Sequence, residues 1–192
     1  TSPTTRYYPS DINVVVEQHY TRASKGGVGY TKASGNYAAS FYPTKLANAK
    51  GFTQVIWTDS VDHKYIEESG TMNVVFCIDG KIISPSEDSD TILRGITKRS
   101  VLEIAKSMGI EVEERQVSIK EILDAHQNGS LQDAFGVGTA ATLTHIGEIG
   151  YRDQVLTLPS IESRTISNKL KSYLTNLKSG KIQDEFNWCK KV

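Results

Sequence analysis

A lysine set among glycines is the first feature of this chain that could do covalent chemistry. In "GGVGYTKASGNYAAS", residues 26–40, three glycines precede Lys32 and Gly35 follows it. Backbone without Cβ atoms can pass close to a ligand, so the stretch offers an amine nucleophile within reach of one. "YIEESGTMN" carries Glu67 and Glu68 on an extended segment. Side chains alternate along a strand, so one of the two is expected to point inward and the other to be solvated. "RGITKRS" places Gly95 ahead of a helix whose first free amides are those of Ile96 and Thr97, a ready anion site. "AFGVGTAA" adds a second Gly-Thr turn at Gly138 and Thr139. Singly these are weak signals. Together they describe one ligand: a phosphate-bearing aldehyde that condenses with lysine and is protonated on a ring nitrogen. Pyridoxal phosphate has that chemistry.

Other motifs are excluded by their detail. "GGVGYTK" is no P-loop, because Thr31 stands before the lysine and Ala33 after it. "GVGTAA" fits a loose dinucleotide fingerprint, but β-branched "TLTHIGEI" follows where a helix is required. His19, His63, His126 and His145 lack ligand spacing, and no metal is expected. No Gly-x-Ser-x-Gly elbow occurs, although a dispersed Ser/His/Asp set stays open.

The elements that must hold these groups are legible in outline. "INVVVE", "TQVIWT" and "MNVVFCI" read as strands, and "IDGKII" as a hairpin turn. A helix is expected from Asn36, with Ala38, Phe41, Tyr42, Leu46 and Ala49 near one face. Pro43 should kink it or delay its start. A second helix should run from Thr97 to Met108. "SIKE" caps a third, and "SRTISNKLKSYLTNLKSG" forms a last amphipathic one through Ile166, Leu170, Tyr173, Leu174 and Leu177. "IEVEERQVS" alternates like a half-exposed strand, and the tail "FNWCKKV" should dock its two aromatics on the body. The mixture is α+β.

The 192 residues suffice for one sizeable core. Lys plus Arg and Asp plus Glu both number 22, and no basic stripe appears, so neither nucleic acid nor a membrane is the expected partner. Cys77 lies in an apolar run far from Cys189, which suits a reducing compartment such as the cytoplasm. Thr1 opens the chain without a methionine, and a segment upstream is expected.

Taken in order, "GNYAAS" after a lysine, "QVIWTD", "HKYIEESGTMNVVF", "GITKRSVLEIAKSMGIEVEER", "AFGVGTAA" and "GKIQDEFNW" resemble the branched-chain amino acid aminotransferases. These are class IV, fold type IV enzymes that use pyridoxal 5'-phosphate. The resemblance implies the large domain of the D-amino-acid-aminotransferase-like fold, a mixed sheet or pseudobarrel flanked by helices. Residues 1–10 would be the remnant of an interdomain connection and 11–192 the cofactor-binding domain. It further implies transamination of leucine, isoleucine or valine with 2-oxoglutarate, and a homodimer. Lys32 matches the lysine that carries the cofactor and shuttles a proton. Tyr37 matches the tyrosine at the phenolic oxygen, and Glu68 the carboxylate at the pyridine nitrogen. The amides of Ile96 and Thr97, with Thr139, match phosphate ligands. Ala140 matches an amide that binds the substrate carboxylate, and Thr71 a position in the side-chain pocket. Departures are also visible. Arg94 replaces a proline or acid, His145 an apolar residue, and the family's small N-terminal domain is not in the sequence. The same fold also serves D-amino-acid aminotransferases and aminodeoxychorismate lyases, and without the small domain a non-catalytic binding or dimerisation domain is the alternative.

Overall fold

Strands form where β-branched and aromatic residues cluster between turn residues. The computed structural model describes residues 11–190. The expected interdomain connection, 1–10, lies outside the described residues, as do 191 and 192. The strands are β1 (Asp11–Val16), β2 (Gln54–Thr58), β3 (Tyr65–Ser69), β4 (Met72–Ile78), β5 (Lys81–Pro85), β6 (Val112–Arg115), β7 (Val117–Ser118), β8 (Leu131–Gly138), β9 (Thr142–Tyr151) and β10 (Gln154–Thr157). The helices are α1 (Ser34–Ala38), α2 (Phe41–Ala49), α3 (Ile96–Ser107), α4 (Ile119–Gln127) and α5 (Thr165–Lys178).

Six strands close on themselves in the order β4-β8-β9-β1-β2-β3, because β3 also pairs with β4. β1 runs parallel to both β2 and β9, and the other pairs of the ring are antiparallel. All six contribute to one apolar cluster, including Ile12, Val14, Ile56, Ile66, Val74, Phe76, Ala134 and Ile146, which is the inside of this barrel; α4 packs into it through Ile119 and Ile122. The opposite faces of β4, β8 and β9 bury Val75, Phe135, Val137 and Leu143 under α3 and α5. The expected pseudobarrel with flanking helices is therefore present.

The hairpin at Asp79-Gly80 has both residues at positive φ, 50° and 75°, as a two-residue turn between twisted strands requires. Ser118 caps α4 by accepting the Glu121 N–H at 3.1 Å. "IEVEERQVS" is not one strand. It divides at Gln116, β6 pairing with β5 and β7 with β3. The helix expected from Asn36 is also two. α1 ends at Ala38 and α2 begins at Phe41, which puts Pro43 in a first turn, where its missing N–H costs nothing. That break shifts the buried face. Pro43 and Ala47 go inside, Ala47 against Val55 and Trp57, whereas Phe41 is 75% and Tyr42 57% exposed. Leu46 is exposed as well. α5 follows its expected apolar side, and its start is pinned by Arg164, which reaches Asp133 on β8. Phe186 stacks on Trp188 with ring centroids 4.3 Å apart and meets Tyr173 edge-on, so the tail docks on α5.

Candidate active site

The loop between β1 and α1 places the lysine. Gly26 takes φ 77° and its N–H donates to Asp90 at 2.6 Å, while the Tyr30 N–H donates to the Asp90 carbonyl at 2.9 Å. Asn36 then closes the loop, its side-chain amide donating to the carbonyls of Val28 at 2.9 Å and Thr31 at 3.1 Å. The close approach that glycine permits is to the protein itself. A Cβ on Gly29 would sit 2.7 Å from both Cα and the carbonyl oxygen of Thr91. The glycines let segment 90–91 press against the loop and present Lys32 at its exit. Gly29→Ala is accordingly expected to cost about 1–3 kcal/mol in chemical denaturation, since backbone, not a flexible side-chain end, must give way. Lys32 lines the cleft described below, and its Nζ lies 5.6 Å from the centroid of the Tyr37 ring.

The carboxylates do not follow strand alternation. Trp57 pairs with Glu68 and Thr58 with Ile66, leaving Glu67 as the extra residue of a β-bulge. Both side chains are therefore buried, Glu67 6% and Glu68 3% exposed, where the sequence suggested one in solvent. Both meet the same segment. Thr91 Oγ1 donates to Glu67 Oε1 at 2.5 Å, and the Leu93 N–H donates to Glu68 Oε1 at 2.6 Å. Arg22 Nη2 lies 3.2 Å from that same Oε1. Burial pushes Glu68 up to about 7, against the pull of Arg22, the Leu93 amide and Lys32 and with a push from Glu67. Burial, then the Glu68 charge, raises Tyr37, so its hydroxyl keeps its proton.

The third part is the start of α3. Gly95 is its extended N-cap, with no side-chain cap bond, and the first helical bond runs from the Arg99 N–H to the Gly95 carbonyl at 3.1 Å. The amides of Ile96 and Thr97 precede that bond and stay available to an anion. The β8–β9 turn supplies Thr139 and Ala140, both exposed, before Thr142 at φ 60°.

These parts meet in one cleft of two lobes. The first, about 360 Å³, is lined by Lys32, Tyr37, Thr71, Met72, Thr139 and Ala140. The second, about 250 Å³, shares Lys32, Thr71 and Thr139 and is closed by Arg94, Ile96 and Thr97. Seven of the eight residues expected from the sequence line it. Glu68 lies behind the wall, close enough to act electrostatically on Tyr37 and to feel Lys32. Sequence reading missed Arg22 and Leu93. Arg22 stands ten residues before Lys32 with no motif around it, and the Leu93 contribution is a backbone amide.

An aldehyde carrying a phosphate and a basic ring fits this cleft on two observations. The recorded contacts of Glu68 fall on Oε1, which leaves Oε2 for a ring nitrogen. The helix start offers unpaired amides to a phosphate at the other end.

A Ser/His/Asp set also exists, remote from the cleft. His145 Nε2 lies 3.0 Å from Ser167 Oγ, and Ser167 sits against Asp133. The three are 2%, 0% and 2% exposed, so no substrate can reach the hydroxyl. The order is also wrong for nucleophilic catalysis, because the acid faces the serine and not the imidazole. Burial, aided by the charges of Lys171 and Arg164, pulls His145 down to about 4, so it is a neutral strut between β9 and α5.

Barrel and cleft together describe an α+β domain with a ligand-sized cleft that a lysine lines. A family model, amino-transferase class IV, matches residues 2–149, and the chain belongs to that family. Branched-chain-amino-acid aminotransferase 2 of Bacillus subtilis is 41% identical over 100% of this chain and 53% of its own length. A probable branched-chain-amino-acid aminotransferase of Staphylococcus aureus is 42% identical over 97% of this chain and 53% of its own. Among solved structures, the Escherichia coli branched-chain amino acid aminotransferase superposes with TM-score 0.77 at 26% identity, covering 96% of this chain and 58% of that one. The enzyme of Thermoproteus uzoniensis with norvaline gives TM-score 0.81 at 25% identity, covering 97% and 58%. Another branched-chain amino acid aminotransferase, complexed with N-(5'-phosphopyridoxyl)-L-glutamate, gives 0.76 at 24% identity, covering 93% and 55%, a likeness of fold. The chain thus spans about half the length of the curated relatives it matches. No helix among the described residues is long and apolar enough to cross a membrane.

Proposed function

We propose that this chain is the cofactor-binding large domain of a pyridoxal-phosphate-dependent aminotransferase that moves the amino group of leucine, isoleucine or valine to 2-oxoglutarate. The observation that carries this reading is the convergence of Lys32 and the open start of α3 on one cleft, with Glu68 buried beside it within electrostatic reach of Lys32 and Tyr37.

When bound, pyridoxal phosphate supplies an electron sink conjugated to the substrate's α-carbon. The rest falls to this chain. Lys32 would be the residue that holds the cofactor, through its side-chain amine. Its amine, when free, would be the base that holds and moves the proton of the substrate's α-carbon. Tyr37, kept protonated by burial and by Glu68, donates to the phenolic oxygen. Glu68 Oε2 accepts from the ring nitrogen and favours its charged form. The amides of Ile96 and Thr97 and the Thr139 hydroxyl hold the phosphate. The Ala140 amide takes the substrate carboxylate, and Thr71 borders the side chain.

A cytoplasmic homodimer is part of the proposal. Phe41, 75% exposed at the start of α2 beside Tyr42, is the surface aromatic that such a self-contact would use. The chain's half-length coverage favours a second reading, a domain that binds cofactor without turnover. An assay with L-leucine and 2-oxoglutarate separates the two. It is run on this chain alone and on this chain preceded by whatever its gene encodes upstream. Glutamate formation is expected in the longer form, and none in either form would leave only binding. Consumption of D-leucine in its place would move the assignment to the D-amino-acid branch of the fold.

A further inference from the structure

Arg22 is buried, with its side chain 1% exposed, yet it sits on a loop that otherwise largely faces water. A single nitrogen, Nη2, serves three oxygens. It donates to the Gly29 carbonyl at 3.0 Å and to the Thr91 carbonyl, and it lies 3.2 Å from Glu68 Oε1. Its Nε and Nη1 are buried without a partner. Two buried carboxylates, Glu67 and Glu68, share this one guanidinium. The groups that face Glu68 are thus Arg22 from the loop after β1, Glu67 from β3, Lys32 and Tyr37 from the cleft wall, and the Leu93 amide.

We propose that Arg22 is a positioning residue for the cofactor ring. It keeps Glu68 a carboxylate in a dry site, so that the proton shared between Glu68 and the ring nitrogen rests on the nitrogen. The inference rests on the pyridoxal-phosphate reading above. Two states compete for that proton: carboxylate with a charged ring, or carboxylic acid with a neutral one. A desolvated carboxyl left alone favours the second. Arg22 touches the carboxylate directly, and a ring meeting Oε2 is one group further off. Coulomb attraction falls with distance, so the guanidinium stabilises the carboxylate more than it repels the ring's charge. Its other two contacts fit the same role. Gly29 belongs to the lysine loop, and Thr91 to the segment that leads into the anion-binding start of α3. One side chain therefore fixes the carboxylate against both elements that flank the cofactor. A cation needed only to satisfy two carbonyls has no need to stand next to Glu68.

The test reads the ring nitrogen, not turnover. Parent, Arg22→Gln and Arg22→Lys proteins, each as the full gene product, are loaded with pyridoxal phosphate labelled with nitrogen-15 in the ring. The pH at which the ring loses its proton is followed by nitrogen NMR, and borohydride trapping at Lys32 is checked in each sample. With Gln, the midpoint is expected to fall by about one pH unit or more. With Lys, which keeps the charge but not the fork, it should lie between Gln and parent. Unchanged midpoints with the cofactor trapped on Lys32 would overturn the proposal, because a purely structural arginine would leave the ring alone. Should the Gln protein not fold, the Lys protein decides in the same way: a lowered midpoint supports the role, a parental one ends it. Failure to trap any adduct at Lys32 in the parent would instead bring down the cofactor reading underneath, a distinct result.

Discussion

Replacing Lys32 with alanine is expected to lower transamination by about a thousandfold or more while leaving the fold intact. Among the residues that line either lobe of the cleft it is the one lysine, so no second amine is placed to take over. On the proposed reading its loss removes both the covalent attachment and the base that moves the α-proton. The structural cost is small, because the recorded contact of its side chain is the Tyr37 ring, 5.6 Å from Nζ. Thermal or urea unfolding should therefore shift by no more than about 0.5 kcal/mol. Cofactor should still bind, held by the phosphate ligands and by Glu68, but borohydride should no longer trap it. A small primary amine in the buffer should restore part of the rate by supplying the missing base. Mass spectrometry is the decisive measurement on the parent protein. A pyridoxyl group on Lys25 or any lysine other than Lys32 would remove the mechanistic assignment, whatever the variant did.

That the lysine was legible while Arg22 was not has a physical cause. Lys32, Ile96, Thr97 and Thr139 sit at turns and helix starts, where local residue type dictates backbone geometry, so short stretches announce them. Strand positions and the Asp-Gly hairpin are local in the same sense. Arg22 acts across the fold. Its partners Gly29, Thr91 and Glu68 come together only once β1, β3 and segment 90–93 are assembled. The bulge at Glu67 is hidden for a related reason. Alternation is a property of one strand, but a bulge is a mismatch between two, visible only when Trp57 is set opposite Glu68. α2 shows the limit of periodicity. Once Ala39 and Ser40 interrupt the helix, the phase counted from Asn36 is lost, and small Ala47, not Phe41 or Tyr42, becomes the residue that packs. His145 is the converse case. A histidine in a strand looks like chemistry, and the three-dimensional setting makes it a strut.

The largest effect on stability should come from Arg164, far from the cleft. Arg164→Met is expected to cost about 3–5 kcal/mol, a fall of ~10 °C in the unfolding midpoint. The guanidinium is buried and held at two of its nitrogens. Nη1 donates to Asp133 Oδ1 at 3.1 Å and to the Ile146 carbonyl at 2.8 Å, and Nε donates to the Pro159 carbonyl at 2.8 Å. Methionine fills the volume but leaves two carbonyls and a carboxylate without their donor. Asp133 is already pushed up by burial, with Ser167 and Arg164 pulling it back. Without Arg164 its folded-state value must rise further. A carboxyl raised in the folded state favours folding at low pH, and that contribution is lost as pH climbs through the raised value. The deficit of the variant relative to the parent should therefore shrink as pH falls toward the carboxylate range and widen above it. Replacing the pair together, Asp133→Leu with Arg164→Met, should recover much of the loss, since no charge is then left stranded. Equilibrium unfolding of the four proteins of this cycle, at neutral and mildly acid pH, measures all three effects. A deficit below about 1 kcal/mol that does not depend on pH would mean that the buried pair adds nothing net.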